Sequence, residues 1–239
     1  MATIGIDVTS ALAQGGGIGR YTRELVRALL QHDTKTEYRL FSARMGETAV
    51  SRHLPTAANT VYRPAPLNER WLYRLWYRLR APLPVQLVTG QLDLFPSPDF
   101  VLPPVAGDIP TLLTVHDISF VHFPDTFPEV LVRYLNRVVP WSIGRATHIL
   151  ADSAATRQDL IDVWAVAPDK ITVLYCGVDA AYRPIEDDAA LTAVRRRYDL
   201  GERPFVLSLG TVQPRKNYGL LIRAFAQIAR DVPHQLYIA

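Results

Sequence analysis

"FVLSLGTVQPRKNYGLLIRAF", residues 205–225, runs from an apolar stretch through a glycine and a basic loop into an amphipathic segment. Phe205 to Leu209 is short, apolar and bounded by Pro204 and Gly210, which reads as a buried strand. Asn217 stands as an N-cap, and Leu220, Leu221, Ala224, Phe225 and Ile228 recur on one helical face. The stretch is therefore strand, loop, helix. Its loop carries Arg215 and Lys216 to the helix start, next to Gly210 and Thr211 at the strand end. Unpaired N–H groups and the positive end of the helix dipole favour an anion there. A phosphate site is one reading; a solvated basic pair is the other.

The same alternation extends toward the N-terminus. Strand-like runs occur at Thr3 to Val8, Tyr38 to Phe41, Thr60 to Tyr62, Leu92 to Phe95, Thr111 to Val115, His148 to Ala151 and Ile171 to Leu174. Helical patterns fall near Gly19 to Leu30, Glu69 to Arg80, Pro128 to Gly144 and Ala154 to Val163. Such alternation predicts an α/β fold, a Rossmann-like, doubly wound parallel sheet wrapped by helices. Arg183 to Asp188, with a proline and an acidic cluster, reads as a linker. Residues 1–183 are then a first domain, and 184–239 are the linker and the opening β-α-β part of a second, incomplete one. One β-α-β unit cannot cover both faces of its own sheet.

Composition narrows the class. Of 239 residues, 49% are hydrophobic and 21% charged, which describes a globular chain with ample core material. A net charge of +3 permits anionic ligands or surfaces without demanding nucleic acid. Cys176 is the only cysteine, so an internal disulfide and a multi-cysteine zinc site are excluded, and a reducing, cytoplasmic setting fits. The start MATIGIDVTS lacks the basic and apolar regions of a signal peptide.

"GGGIGRYTREL", from Gly15, clusters glycines after the first strand and lets backbone amides at Gly16 and Gly17 approach an anion or a sugar. A dinucleotide fingerprint is disfavoured, because Thr9 to Gln14 intervene and Thr22 stands where the third glycine belongs. No P-loop and no G-x-S-x-G elbow occurs. "TLLTVHD" ends a strand with His116 and Asp117, where ligands of open α/β sheets sit; a histidine there serves a substrate hydroxyl or fastens the following loop. "ADSAATRQDL" offers Ser153 as an N-cap and Arg157 on the helix, both facing a cleft or forming an ordinary turn. "NERWLYRLWYRLR" sets Leu72, Leu75, Trp76 and Leu79 opposite Arg70, Arg74 and Arg78, with Trp71 beside them. That pattern fits a helix lying on anionic lipid, and equally a surface helix docked on its own domain.

In chain order, GGGIGRYTREL, LFPSPDFVLPP, TVHDISFVHFPDTFPE, ILADSAATRQDLI, KITVLYCGVD and FVLSLGTVQPRKNYGLLIRAFAQI resemble the retaining glycosyltransferases of family four, which have the two-Rossmann-domain GT-B architecture. The resemblance implies an acceptor-binding first domain, a nucleotide-sugar-binding second domain, and transfer without a metal or other cofactor. It implies that His116, with Asp117, sits by the transferred sugar, and that Gly16, Gly17, Arg215 and Lys216 hold the donor diphosphate. TVHDISF and PRKN look most like the mannosyltransferase branch, with GDP-mannose as donor and a polysaccharide or lipid-linked glycan as acceptor. Two departures stand out. Thr211 follows Gly210 where many relatives carry arginine, and the family's glutamate pair, spaced by seven residues, lies beyond Ala239. The 239 residues alone are accordingly expected to turn over little substrate. A non-catalytic module that binds a membrane or a partner is the alternative reading.

Overall fold

The computed structural model describes every residue from Met1 to Ala239. Its strands are β1 (Thr3–Asp7), β2 (Glu37–Ser42), β3 (Thr60–Pro64), β4 (Phe95–Ser97), β5 (Thr111–Val115), β6 (His148–Ala151), β7 (Ile171–Val173), β8 (Phe205–Ser208) and β9 (Gln235–Ile238). The helices are α1 (Thr9–Ala13), α2 (Gly17–His32), α3 (Glu47–His53), α4 (Glu69–Tyr73), α5 (Gln86–Thr89), α6 (Ser119–His122), α7 (Glu129–Arg145), α8 (Ala154–Trp164), α9 (Asp188–Arg197) and α10 (Tyr218–Ile228). The chain divides into two units, one of residues 1–122 and 130–176, the other of residues 123–129 and 177–239.

The first unit is built on parallel strands in the orders β1-β2-β3 and β4-β5-β6-β7. The two sheets meet where Ile4 bridges Leu94 and the Gly5 amide donates to the Leu94 carbonyl at 3.0 Å. Strand order therefore reverses between β1 and β4, the arrangement that opens a crevice at the carboxyl ends of a doubly wound sheet. The fourth strand begins at Phe95 rather than Leu92, because only from Phe95 does the chain join the ladder with Thr111. Ile6, Val8, Val26, Tyr38 and Leu40 form one core cluster. Leu113, Val115, Ile149 and Ala151 are fully buried, as expected of central parallel strands covered on both faces.

α2 is packed through Gly19, whose added Cβ would stand 2.1 Å from the Gln14 carbonyl oxygen. Gly16 and Gly17, by contrast, face open space.

The segment from Glu69 departs from a uniform helix. After α4, capped by the Asn68 side chain, residues Arg74–Arg78 form a π-helical turn in which the Leu79 amide donates to the Arg74 carbonyl at 2.9 Å. The wider turn rotates the faces. Leu72 and Trp76 are buried as the pattern predicts, but Tyr77 replaces Leu79 on the inner side and Leu79 is 69% exposed. Trp76, taken from the sequence as a membrane contact, is instead 6% exposed, with its indole N–H donating to the Leu83 carbonyl at 2.8 Å. Arg70, Trp71 and Arg78 remain exposed, and the Arg74 guanidinium lies 4.9 Å over the Trp71 ring. No helix is long and apolar enough to cross a membrane.

In the second unit β8 and β9 pair in parallel, Phe205 opposite Gln235, and α10 connects them. Leu221 and Phe225 of α10 are half-buried, while Leu220 and Ile228, expected on the same apolar face, are exposed. A two-stranded sheet gives one helix only a narrow surface to cover.

Candidate active site

Three strand ends of the first unit flank the reversal in strand order, and each delivers a titratable side chain: Asp7 from β1, Asp99 just past β4 and His116 from β5. His116 Nδ1 lies 2.7 Å from Asp152 Oδ2, just past β6, and Nε2 lies 3.2 Å from the Pro98 carbonyl oxygen. Both partners are acceptors, so the ring satisfies both bonds only as the doubly protonated imidazolium. Burial alone would pull the His116 pKa down, but the Asp152 carboxylate, the Asp99 charge and the Pro98 carbonyl together hold it above its ordinary value. Tyr21 and Phe100 meet the imidazole edge-on at ring-centre distances of 5.1 and 5.4 Å and fix its plane.

Asp99 is tied by the Phe100 amide at 2.6 Å and the Gln14 side chain at 3.3 Å. Burial pushes its carboxyl upward, against those bonds and the His116 charge. Asp7 accepts from the Thr9 amide at 2.9 Å, and burial raises its pKa to about 6. Glu69 is raised as well, by burial and then by the Asp99 charge. These carboxyls line one pocket of about 80 Å³ together with Tyr73, Trp76, Tyr77 and Tyr134.

The other residues singled out by sequence fall as follows. Asp117 Oδ1 accepts from the Ser119 amide at 2.8 Å and the Ser119 hydroxyl at 2.5 Å, so this carboxylate shapes the turn into α6. Ser153 caps α8, accepting from the Thr156 amide at 3.0 Å, and the Thr156 hydroxyl in turn donates to the His116 carbonyl at 3.0 Å. That cap ties α8 to the loop after β5. The Arg157 guanidinium donates to the Pro168 carbonyl at 3.2 Å, which fastens α8 to the turn before β7. Gly16 is the N-cap of α2 with no side-chain cap, which leaves the first-turn amides of Gly17 and its neighbours unclaimed.

In the second unit Arg215 and Lys216 lie exposed on a 3-10 turn, Pro214–Lys216, directly before α10. Asn217 sits in the left-handed region at φ 49° and caps α10 by accepting from the Leu220 amide at 3.3 Å. Gly210 has φ +156°, and its carbonyl accepts from the Tyr218 hydroxyl at 2.9 Å, which folds the loop holding Thr211 back toward α10. The glycine loop and the basic turn thus belong to different units.

Asp7, Glu69, Asp99 and Asp152 escaped the reading of motifs. The available signal was positional: Asp7, Asp99 and Asp152 each end or closely follow a strand, on the side of a doubly wound sheet where ligands bind.

The sequence profile described as Glycosyltransferase Family 4 matches residues 15–182. Over 221 residues the chain is 28% identical to the O-antigen chain mannosyltransferase B of Escherichia coli, covering 87% of this chain and 56% of that protein. A D-inositol 3-phosphate glycosyltransferase of Salinispora tropica is 36% identical over 95 residues, 38% of this chain and 20% of that one. The chain thus spans about half the length of the E. coli relative, and less of the other. WaaG, a glycosyltransferase involved in lipopolysaccharide biosynthesis, superposes with a TM-score of 0.67 at 12% identity, over 98% of this chain and 62% of WaaG. Anabaena Alr3699/HepE, solved in complex with UDP and glucose, gives a TM-score of 0.61 at 17% identity, over 100% of this chain and 60% of that one. At these identities the structures speak for the fold, Rossmann-like and of the GT-B type, and the profile, which covers most of the chain, speaks for the family: this protein belongs to glycosyltransferase family 4.

Proposed function

We propose that this chain forms the acceptor side, with part of the donor side, of a retaining, metal-independent hexosyltransferase that moves mannose from GDP-mannose to a polysaccharide or lipid-linked glycan. The observation that carries the reading is the imidazole of His116, held between Asp152 and the Pro98 carbonyl beside the strand-order reversal. A ring so fixed, and cationic, is placed to donate to a hydroxyl or ring oxygen of a bound sugar once substrate displaces the Pro98 contact.

As the glycosidic bond breaks, negative charge grows on the departing nucleoside diphosphate. Arg215 and Lys216 of the second unit supply positive charge suited to it, and Gly16 and Gly17 of the first unit present backbone N–H donors; one such donor is worth about 3 kcal/mol of barrier, roughly a hundredfold in rate. The E. coli mannosyltransferase supports mannose as the transferred sugar, and the UDP complexes of the Anabaena protein make UDP the base to test against GDP. The 239 residues alone are proposed to turn over slowly. A cytoplasmic setting at the inner membrane face, reached through Arg70, Trp71, Arg74 and Arg78, completes the proposal.

The test is calorimetric titration of the chain with GDP-mannose, GDP, UDP-glucose and UDP, for wild type and for Arg215→Ala with Lys216→Ala. Saturable binding of the guanosine ligands, weakened tenfold or more in the double variant, supports the reading. Preference for UDP removes mannose; absence of any nucleotide binding removes the transferase.

A further inference from the structure

The residue that opens the glycine loop is held on both its main chain and its side chain. Gln14 is the C-cap of α1; its amide donates to the Ser10 carbonyl at 3.0 Å, and its carbonyl accepts from the Arg23 guanidinium of α2 at 3.0 Å. Its side chain reaches a different part of the first unit. The Gln14 side-chain amide donates to Asp99 Oδ2 at 3.3 Å, across 85 residues of sequence. Gly15, Gly16 and Gly17 follow at once, and a Cβ added to any of them would meet nothing within 4 Å, so no packing of their own fixes this stretch of backbone. Its placement is inherited from Gln14 on one side and from α2 on the other. Both anchors lead to His116. Asp99 accepts from the Phe100 amide at 2.6 Å, and the Phe100 ring meets the imidazole edge-on at 5.4 Å. From α2 the Tyr21 ring meets the same imidazole at 5.1 Å, with its hydroxyl 3.5 Å from the Thr114 hydroxyl of β5.

We propose that Gln14 is a positioning residue for the transfer reaction: through its bond to Asp99 it holds the Gly16 and Gly17 amides in register with the His116 imidazole, so that the loop and the histidine act as one rigid frame. This rests on the transferase reading above and deepens it by naming a residue that acts through its neighbours. A site works only if its donors are held to a fraction of an ångström by the groups behind them, and three glycines cannot supply that themselves. An amide suits the task, because it donates to the carboxylate without adding a charge beside His116 and Asp152. A glutamate at position 14 would face Asp99 acceptor to acceptor, with like charges in a partly buried place. Adding Asp99→Asn to that change turns the pair round: the new amide donates to the new carboxylate, and the pair again carries one negative charge.

The test is calorimetric titration of the 239-residue chain with GDP and with UDP, together with NMR of the His116 ring C–H signals, for wild type, Gln14→Ala, Gln14→Glu and the exchange pair Gln14→Glu with Asp99→Asn. In wild type the nucleotide that binds should also move the His116 signals. Gln14→Glu should bind it about tenfold more weakly and lose the shift at His116, since a hydrogen bond to a charged group is removed and a repulsion added. Gln14→Ala, which removes the bond without the repulsion, should fall between the two. The exchange pair should return to within about twofold of wild type and recover the shift, a rescue that damage to the fold would not give. Unchanged affinity in both single variants, a His116 ring in wild type that does not respond to bound nucleotide, or an exchange pair that melts like wild type yet binds no better than Gln14→Glu would overturn the inference and leave the transferase reading standing. Absence of nucleotide binding by wild type removes both.

Discussion

His116 and Asp152, 36 residues apart in sequence, form a 2.7 Å ion pair in which the histidine ring is also held from its far side by the Pro98 carbonyl. The pair sets both the protonation state and the orientation of the one histidine at the strand-order reversal, so its removal is the sharpest probe of the site.

In Asp152→Asn the bonds and charge that raise His116 are largely lost, while the burial that lowers it stays. The His116 pKa should therefore fall, read by NMR from the ring C–H signals. In wild type a histidine raised in the fold stabilises it fully below its unfolded pKa, near 6.5, and this contribution disappears as pH rises through the folded value. The variant should lack that loss. An unchanged titration would show that Asp152 does not govern the ring.

Asp7 has a linkage of the same sign in a lower pH window. Its carboxyl is raised from 3.8 to about 6, so the unfolded chain releases the proton first and the fold loses stability as pH rises between those values. At 1.36 kcal/mol per pH unit the charged form costs at most about 3 kcal/mol above pH 6, a ceiling because Asp7 keeps some contact with solvent. The groups facing it are the Thr9 hydroxyl and amide, the carboxyls of Asp99 and Glu69, and the Tyr77 phenol, with His116 beyond Asp99. Asp7→Asn should melt higher than wild type at pH 8 and show a flatter stability profile from pH 4 to 7. A lower melting temperature at pH 8 would contradict this.

Two glycines of one loop should respond differently to alanine. Gly19→Ala drives a methyl to 2.1 Å from the Gln14 carbonyl and should cost several kcal/mol, of the order of ~3, or prevent folding. Gly17→Ala meets nothing within 4 Å and should melt within about 0.5 kcal/mol of wild type, yet weaken nucleoside diphosphate binding if its amide serves the ligand. Denaturant melts and calorimetry separate the two effects.

Changing Arg70, Arg74 and Arg78 together to glutamate should abolish sedimentation with anionic vesicles, because about 1 kcal/mol per basic residue is lost and like-charge repulsion is added. Leu79→Ser should weaken the same binding with little effect on melting, since this side chain is 69% exposed. Retained vesicle binding in the triple variant would rule out this helix as the contact.

The alternation of strand and helix, the glycine turn after the first strand and the basic turn before the last helix were all legible in the linear chain. Hydrophobic period and turn chemistry are properties of near neighbours, and burial only selects among them. What folding alone decided was which distant residues meet. A reversed strand order brings the carboxyl ends of β1, β4 and β5 together, so Asp7, Asp99 and His116 share one locality with Asp152 although no motif joins them. One π-helical turn moves Tyr77 inward and Leu79 outward, a rotation that a 3.6-residue period cannot foresee. Long-range pairing and helix register are set by which packing the whole core accepts, and that information is held in no single stretch of sequence.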